Sequence, residues 1–360
     1  MEYKDENPIK TIVKLDKFFR CHCKIDLDII RTNKNNTFPS FTLFSKDIAF
    51  STNGKGKNTY LALASAYGEF YERISNFCLN RFSNKTLSEK NFGNKVFYTE
   101  NNIKLIIDKF IRLEKNKNSS NALIIKLLEN IIDLDPNTND KGIPCIKFES
   151  RYDDVTIPIA LLDYFLGTNG MSAGNTYQEA LVQAYSEVIE RHTIKMFNKG
   201  EYIPKIVESD QLINYPEAEK FLSDLSMKYP NYKSKLYIFE QEDKFPVSLF
   251  FIFDKEKCRY CFKFGCHFNI EKSIERSFSE IFQGNELENS SMWINLINTL
   301  GSEEGNSYKI FIDGRGELSG KALINLLLYG NKKCTHKDKL LSNLDAKNYI
   351  ENSTDTYIFK

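Results

Sequence analysis

A chain of 360 residues with 49 basic and 48 acidic side chains carries a formal net charge of +1. That length can bury a substantial core, as one large domain or two ordinary ones. The balanced charge provides no basic stripe with which to release the counterions of a nucleic acid, so nucleic acid is not expected as a direct partner.

The amino-terminal "MEYKDENPIK" has no apolar stretch behind its charges, and the longest apolar run, "FPVSLFFIF" from Phe245, is too short to span a bilayer. A cytoplasmic protein without a membrane segment is expected, its eight cysteines reduced rather than paired. In chain order, β-runs are expected around Phe41 to Ser51, Cys145 to Ser150, Val155 to Phe165, Ser234 to Glu240, Phe245 to Phe253 and Arg259 to Phe264. Helical periodicity marks Asn58 to Arg81, Ile103 to Leu113, Asn121 to Ile132, Tyr177 to Phe197 and Ile270 to Gln283. Strands and helices mix along the whole length, which predicts a single α+β domain over residues 1–360.

Cys258 and Cys261 have zinc-like spacing, but they flank a strand start and would point to opposite faces, a poor geometry for one metal. Cys21 and Cys23 lack a second pair, and the four histidines lack spaced partners, so these read as ordinary structural residues. No nucleophile elbow starts a Ser/His/Asp arrangement.

The informative feature is a repeat. Shifting "GKGKNTYLALASAYGEFYERI" by 118 residues lays Gly56 on Gly174, Ala62 on Ala180, Ala66 on Ala184, Tyr67 on Tyr185, Glu69 on Glu187, Glu72 on Glu190 and Arg73 on Arg191. A shift of 211 brings Gly54 onto Gly265, Ala66 onto Ser277, Glu69 onto Glu280 and Glu72 onto Gln283. At about 100° per residue, Ala62, Ala66, Glu69 and Arg73 share one face, while Leu63, Tyr67, Phe70 and Ile74 form a bulky one. The bulky face should pack on a sheet, and the small-residue stripe should admit a close approach that carries its charges into the contact.

Two readings of the charges stand side by side. Glu69 with Arg73 and Glu187 with Arg191 are i,i+4 pairs that stabilise a solvated helix, and Thr176 with Glu179 forms a capping box. Alternatively, Glu69, Glu72, Glu187 and Glu190 converge as four oxygen ligands, a set suited to a hard cation such as Mg²⁺. The glycine turns at Gly54 to Gly56 and Ser172 to Asn175 then offer free N–H groups and helix N-termini to a phosphate. Metal plus polyphosphate means a nucleotide site, although neither a Walker A loop nor a kinase motif set is present.

"STNGKGKNTYLALASAYGEFYERISNF", "NGMSAGNTYQEALVQAYSEVIERH" and "FGCHFNIEKSIERSFSEIFQG" together resemble the three ATP-binding segments of the YcaO family, most closely its stand-alone branch. The core motifs lie at 51–77, 169–197 and 264–284, and the resemblance extends from Lys10 to about Leu328. It implies ATP and Mg²⁺ as cofactors. Ser172, Asn175, Glu179, Arg191, Arg276 and Glu280 would contact nucleotide, with Arg276 and Glu280 at the chemistry, and Glu69, Glu72, Glu187 and Glu190 would hold Mg²⁺. It also implies an N-terminal lysine, for which Lys10 is the candidate; where the pattern expects a hydroxyl seven residues later, this chain has Lys17.

Family members phosphorylate a peptide-backbone amide oxygen so that a nucleophile can add at the carbonyl carbon. The stand-alone branch implies a role in β-methylthiolation of an aspartate in a small-subunit ribosomal protein, as accessory to the radical methylthiotransferase RimO. Other branches imply azoline or thioamide formation in ribosomal precursor peptides, and a homodimer or a non-catalytic binding scaffold also stays open. Neither a C-terminal helical repeat region nor a proline-rich tail follows the motifs, and "STDTYIFK" reads as the start of a strand with an open edge.

Overall fold

The apolar-rich stretches between Tyr232 and Cys266 become three long antiparallel strands. The computed structural model describes residues 4–33, 38–75, 95–98, 143–148, 155–158, 168–240, 244–281, 287, 292–302, 316–330, 332–340 and 342–352. Two compact units result, one of Met1–Tyr71 with Asn169–Ile350 and one of Glu72–Thr168 with Glu351–Lys360.

The first unit begins with α1 (Pro8–Lys17), which has Asn7 as its N-cap and proline in its first turn, and continues as a π-helical turn, Phe18–Cys23. Strands β1 (Asp28–Arg31), β2 (Ser40–Ser45) and β3 (Phe50–Lys55) form an antiparallel sheet in that order. The run expected from Phe41 to Ser51 is thus two strands joined by a turn at Lys46 to Ala49, where Ala49 takes a positive φ of 49°. Helix α2 (Thr59–Ser75) follows β3.

In the second unit β4 (Lys95–Tyr98), β5 (Ile143–Phe148) and β6 (Val155–Pro158) make a three-stranded antiparallel sheet. The helices expected at Ile103 to Leu113 and Asn121 to Ile132 lie outside the described residues, as does the C-terminal "STDTYIFK".

Back in the first unit, α3 (Tyr177–Asn198) leads through β7 (Lys205–Ile206) to α4 (Pro216–Lys228). Strands β8 (Tyr232–Phe239), β9 (Val247–Asp254), β10 (Arg259–Cys266) and β11 (Ile294–Asn295) complete a five-stranded sheet in the order β11-β10-β9-β8-β7. Helix α5 (Ile270–Ile281) lies between β10 and β11 in the chain, and α6 (Gly320–Tyr329) and α7 (Asn343–Asn352) follow. The period of two sorts the central strands between two helical layers. Leu236, Ile238, Phe250, Ile252 and Cys261 meet Phe221 of α4 and Ile274 and Phe278 of α5. On the opposite face, Phe239 and Phe264 pack on Phe197 of α3. A strand buried on both faces reads as a continuous apolar run, which is why "VSLFFIF" stands out in the sequence.

The repeat now has a packing cause. An added Cβ at Gly54 would lie 2.2 Å from both the Ala62 carbonyl oxygen and the Ala66 amide nitrogen, and one at Gly265 would lie 2.3 Å from the Ser273 carbonyl oxygen and 2.6 Å from the Ser277 nitrogen. The two contacts are related by the same shift of 211 residues. Gly56 and Gly174 repeat the pattern at the shift of 118, within 2.7 and 2.4 Å of the Ala62 and Ala180 nitrogens. The small-residue stripe therefore receives the preceding glycine segment, rather than an outside partner as its spacing suggested. Bulky packing also differs between copies. Tyr67 and Phe70 of α2 bury against Phe19 of the π-helical turn, and Phe70 also against Phe50, whereas Val188 of α3 is 50% exposed.

Described cysteines are all free, with Cys258 exposed in a turn and Cys261 buried in β10, so the expected divergence of that pair is observed. Among the described residues no helix is long and apolar enough to cross a membrane. A substitution pair checks the packing argument by urea unfolding. Gly54→Ala should cost about 3 kcal/mol or more, because backbone atoms cannot yield to the methyl group. Gly68→Ala on α2, whose Cβ meets nothing within 4 Å outside the helix's own backbone, should stabilise by up to about 1 kcal/mol.

Candidate functional site

Three segments far apart in sequence deliver charges to one place. From α3 come Glu187, Glu190 and Arg191, from α5 Arg276 and Glu280, and from the end of β3 Lys55. Lys55 Nζ donates to Glu280 in a partly buried ion pair. Arg191 stands 3.7 Å from both Glu187 and Glu190, and its Nε donates to Asn169 Oδ1 at 3.1 Å. Glu187 also accepts the Gly170 amide at 3.0 Å, which ties the loop ahead of α3 back onto the helix. Arg276 is held by two bonds of 2.5 Å, to the Cys266 carbonyl and to Gln183 Oε1, so its guanidinium spans β10 and α3.

The carboxylates divide electrostatically. Glu190 is 19% exposed, and burial, with the nearby charge of Glu280, pushes its pKa up despite Arg191, Arg276 and Lys55. Burial acts on Glu280 in the same direction, but Lys55, Lys263 and Arg191 outweigh it and hold its pKa below the usual value. One carboxylate is thus kept ionised beside another that resists ionisation, the arrangement expected where like charges await a cation.

A second group of contacts closes over the glycine turn. Thr176 caps α3 by accepting the Glu179 amide at 3.2 Å, which is half of the expected capping box. The Glu179 carboxylate, 6% exposed, faces instead Lys4 Nζ at 2.6 Å, the Asp5 amide at 3.2 Å and Asn175 Nδ2 at 3.1 Å. Thr11 Oγ1 donates to Asn175 Oδ1 at 2.7 Å, and Asp5 accepts from Thr176 and from Asn343 at the start of α7. Ser172 Oγ donates to the Ala180 carbonyl at 2.5 Å.

Lys10 is 74% exposed and pairs with Glu6, whereas Lys4 reaches the buried carboxylate. Thr11 lies seven residues after Lys4, so this pair has a hydroxyl at the spacing where Lys10 is followed by Lys17. Lys55, Lys263, Gln183 and Asn169 were also missed. Of these Lys55 and Lys263 had a sequence cue, each as the one charged residue at its position among the three repeats, with Ala173 and Cys266 opposite Lys55 and Thr52 and Gly170 opposite Lys263.

Glu69 and Glu72 are half-buried on α2, and Glu72, counted with the second unit, stands 3.8 Å from Arg73. Among the described residues no three His, Cys, Asp or Glu side chains already form a metal-binding group. Bare carboxylates would repel one another, and Arg191 stands against both Glu187 and Glu190. The donors themselves are all oxygen atoms, carboxylates with an Asn carbonyl nearby, and that chemistry fits Mg²⁺.

Beneath this site His267 is 1% exposed, and its Nδ1 accepts the Asn269 amide at 3.1 Å, so the ring is neutral with its proton on Nε2. Burial, joined by the positive charges of Arg276, Lys4 and Lys272, holds its pKa well below the ordinary histidine value.

Comparison with known proteins gives a family and a shared fold. A family described as YcaO cyclodehydratase, ATP- and Mg²⁺-binding, matches residues 53–308. The chain is 29% identical over 293 residues to an uncharacterized protein of Haemophilus influenzae, covering 74% of this chain and 47% of that one. It is 30% identical over 255 residues to the ribosomal protein S12 methylthiotransferase accessory factor YcaO of Escherichia coli, covering 66% of this chain and 41% of that one. It therefore spans less than half the length of these curated relatives. The structure of YcaO from Methanopyrus kandleri bound with AMPPCP and Mg²⁺ shares the fold, with a TM-score of 0.56 at 14% identity over 99% of this chain and 86% of that one.

The buried ring makes a pH prediction. Because unfolded chains protonate His267 and the native state resists it, stability should fall by up to about 1.4 kcal/mol for each pH unit below about 6.5. Unfolding midpoints of wild type and His267→Gln between pH 7 and 5 should show that slope reduced in the variant.

Proposed function

The chain belongs to the YcaO family, and from that premise we propose that it binds Mg–ATP at the α3/α5 cluster to activate a peptide-backbone amide. The observation that carries this reading is the meeting of Glu190, Arg191, Arg276, Glu280 and Lys55 from three repeated segments. Hard-cation donors and phosphate-binding cations stand interleaved there, as a metal-bound polyphosphate requires.

On this reading Glu187 and Glu190 ligate Mg²⁺, and the places of Glu69 and Glu72 beside them rest on the family pattern alone. Ser172, Asn175, Glu179, Arg191, Arg276 and Glu280 contact the nucleotide, and Lys4 and Thr11 replace Lys10 and Lys17 in the N-terminal wall. The support for that replacement is the pair of bonds from Lys4 to Glu179 and from Thr11 to Asn175. Bound Mg–ATP would supply a phosphoryl group to the amide oxygen, after which a nucleophile adds at the carbonyl carbon and phosphate departs. Arg276, pinned at both ends of its guanidinium, and Arg191, braced by Asn169, are pre-oriented to offset charge on the transferring group. No serine or cysteine nucleophile is needed for this. Cys261 and Cys334, whose thiols burial pushes up to about 12, are poorly suited to supply one.

The similarity to the Escherichia coli accessory factor supports an auxiliary role in β-methylthiolation of a small-subunit ribosomal protein, beside a RimO-type methylthiotransferase. The family description supports a second reading, cyclodehydration of a precursor peptide. Phosphate release, measured with ATP and either a ribosomal-protein loop peptide or a cysteine- and serine-rich precursor peptide, separates the two by which one stimulates turnover. Glu190→Gln should lower the stimulated rate by roughly a hundredfold or more. Silence with every peptide while ATP still binds would favour a non-catalytic scaffold, and equal Mg–ATP binding by wild type and Glu190→Gln would contradict the metal site.

A further inference from the structure

Lys55 is built into the site by a strand that cannot turn. Thr52 and Gly54 of β3 are buried toward α2, where the Thr52 hydroxyl donates to the Ala66 carbonyl at 3.1 Å and Gly54 lies against the helix backbone. Alternation along the strand then sends Asn53 and Lys55 to the other face. Gly56, packed on Ala62 in the same way, fixes the chain on the far side of Lys55. The lysine is left 20% exposed, bonded to Glu280 of α5 and close enough for its charge to act on Glu190 of α3.

Two observations separate this contact from the packing of the repeat. The positions equivalent to Lys55 in the other copies are Ala173 and Cys266, so a strand or loop can meet its helix without a cation there. The helix contacts of the first copy, moreover, are made by its glycines and by Thr52, none of which needs the ammonium group.

We infer that Lys55 is a positioning residue which sets the charge balance of the pocket, disfavouring a bare divalent cation and favouring the triphosphate. Its ammonium occupies the neighbourhood of Glu190 and Glu280 that a cation would otherwise neutralise. Metal alone therefore meets a repelling charge, and an anion brought with its metal meets an attracting one. Lys263, Arg191 and Arg276 share the neighbourhood, but Arg191 and Arg276 are committed to neighbours on α3, β10 and the loop before α3. Lys55 is bonded directly to Glu280.

The inference rests on the Mg–ATP reading and makes a prediction that a structural role does not, since two affinities should move in opposite directions. Calorimetric titrations would use Mn²⁺ alone, and ATP in the presence of EDTA, on the full chain. Lys55→Met should bind Mn²⁺ about three- to tenfold more tightly and metal-free ATP about three- to tenfold more weakly, and Lys55→Arg should stay near wild type in both. Lys55→Gln, a milder change for folding, carries the same signs. Unchanged affinities, or a loss of both together, would overturn the inference while leaving nucleotide binding in place. Wild-type protein that binds neither probe nor Mn–ATP, titrated as a control, would overturn the Mg–ATP reading itself, and this inference with it.

Discussion

The described site depends on the close approach of glycine to helix. Gly54, Gly174 and Gly265 each bring the segment before a helix onto that helix's own backbone, leaving no room for a side chain. Because the contact is backbone to backbone, it fixes both the position and the rotation of the helix that follows. The helix then presents the same positions in each copy, and three such helices can carry their glutamates and arginines at defined angles. A β-carbon at these glycines would shift the charges as surely as it would loosen the core.

The second constraint is electrostatic. Carboxylates from α3 and α5 are near enough to oppose each other's ionisation, and the fold answers with Lys55, Lys263, Arg191 and Arg276 among them. Lys4 does the same for the nearly buried Glu179. Such a pocket is close to neutral as it stands, but its cations are pairable with phosphate and its carboxylates with metal. Exchanging these internal pairs for a metal-bound polyphosphate alters little of the charge balance, since both signs enter together. The N-terminal segment adds a mechanical aspect, because residues 4 to 11 bond to the turn that opens α3 and to the start of α7.

Much of this was legible in the residues, for identifiable reasons. Long periodic segments such as Tyr177–Asn198 and the strands from Tyr232 to Cys266 declared themselves through burial. The pairing of Gly54 with Ala66 and of Gly265 with Ser277 was visible as a repeat, although its cause was misread as room for a partner. The short helices α1 and α7 were invisible, since α1 has no buried residue and α7 has only Ala346 and Ile350. The bond of Lys4 to Glu179 had no local cue, because Glu179 turns away from its capping partner, a choice made by tertiary contacts. The ion pair of Lys55 with Glu280 spans 225 positions, and no local pattern announces a contact of that range.

The central claim is that the acidic side chains of the repeated helices converge on one cation that holds a triphosphate. Crystals grown with a non-hydrolysable ATP analogue and Mn²⁺ test it through the anomalous signal of the metal. The account predicts a peak about 2.0–2.3 Å from carboxylate oxygens of Glu187 or Glu190, with phosphate oxygens completing the shell and Arg276 against them. Anomalous density elsewhere, or a nucleotide bound with Glu190 still paired only to Arg191, would contradict it.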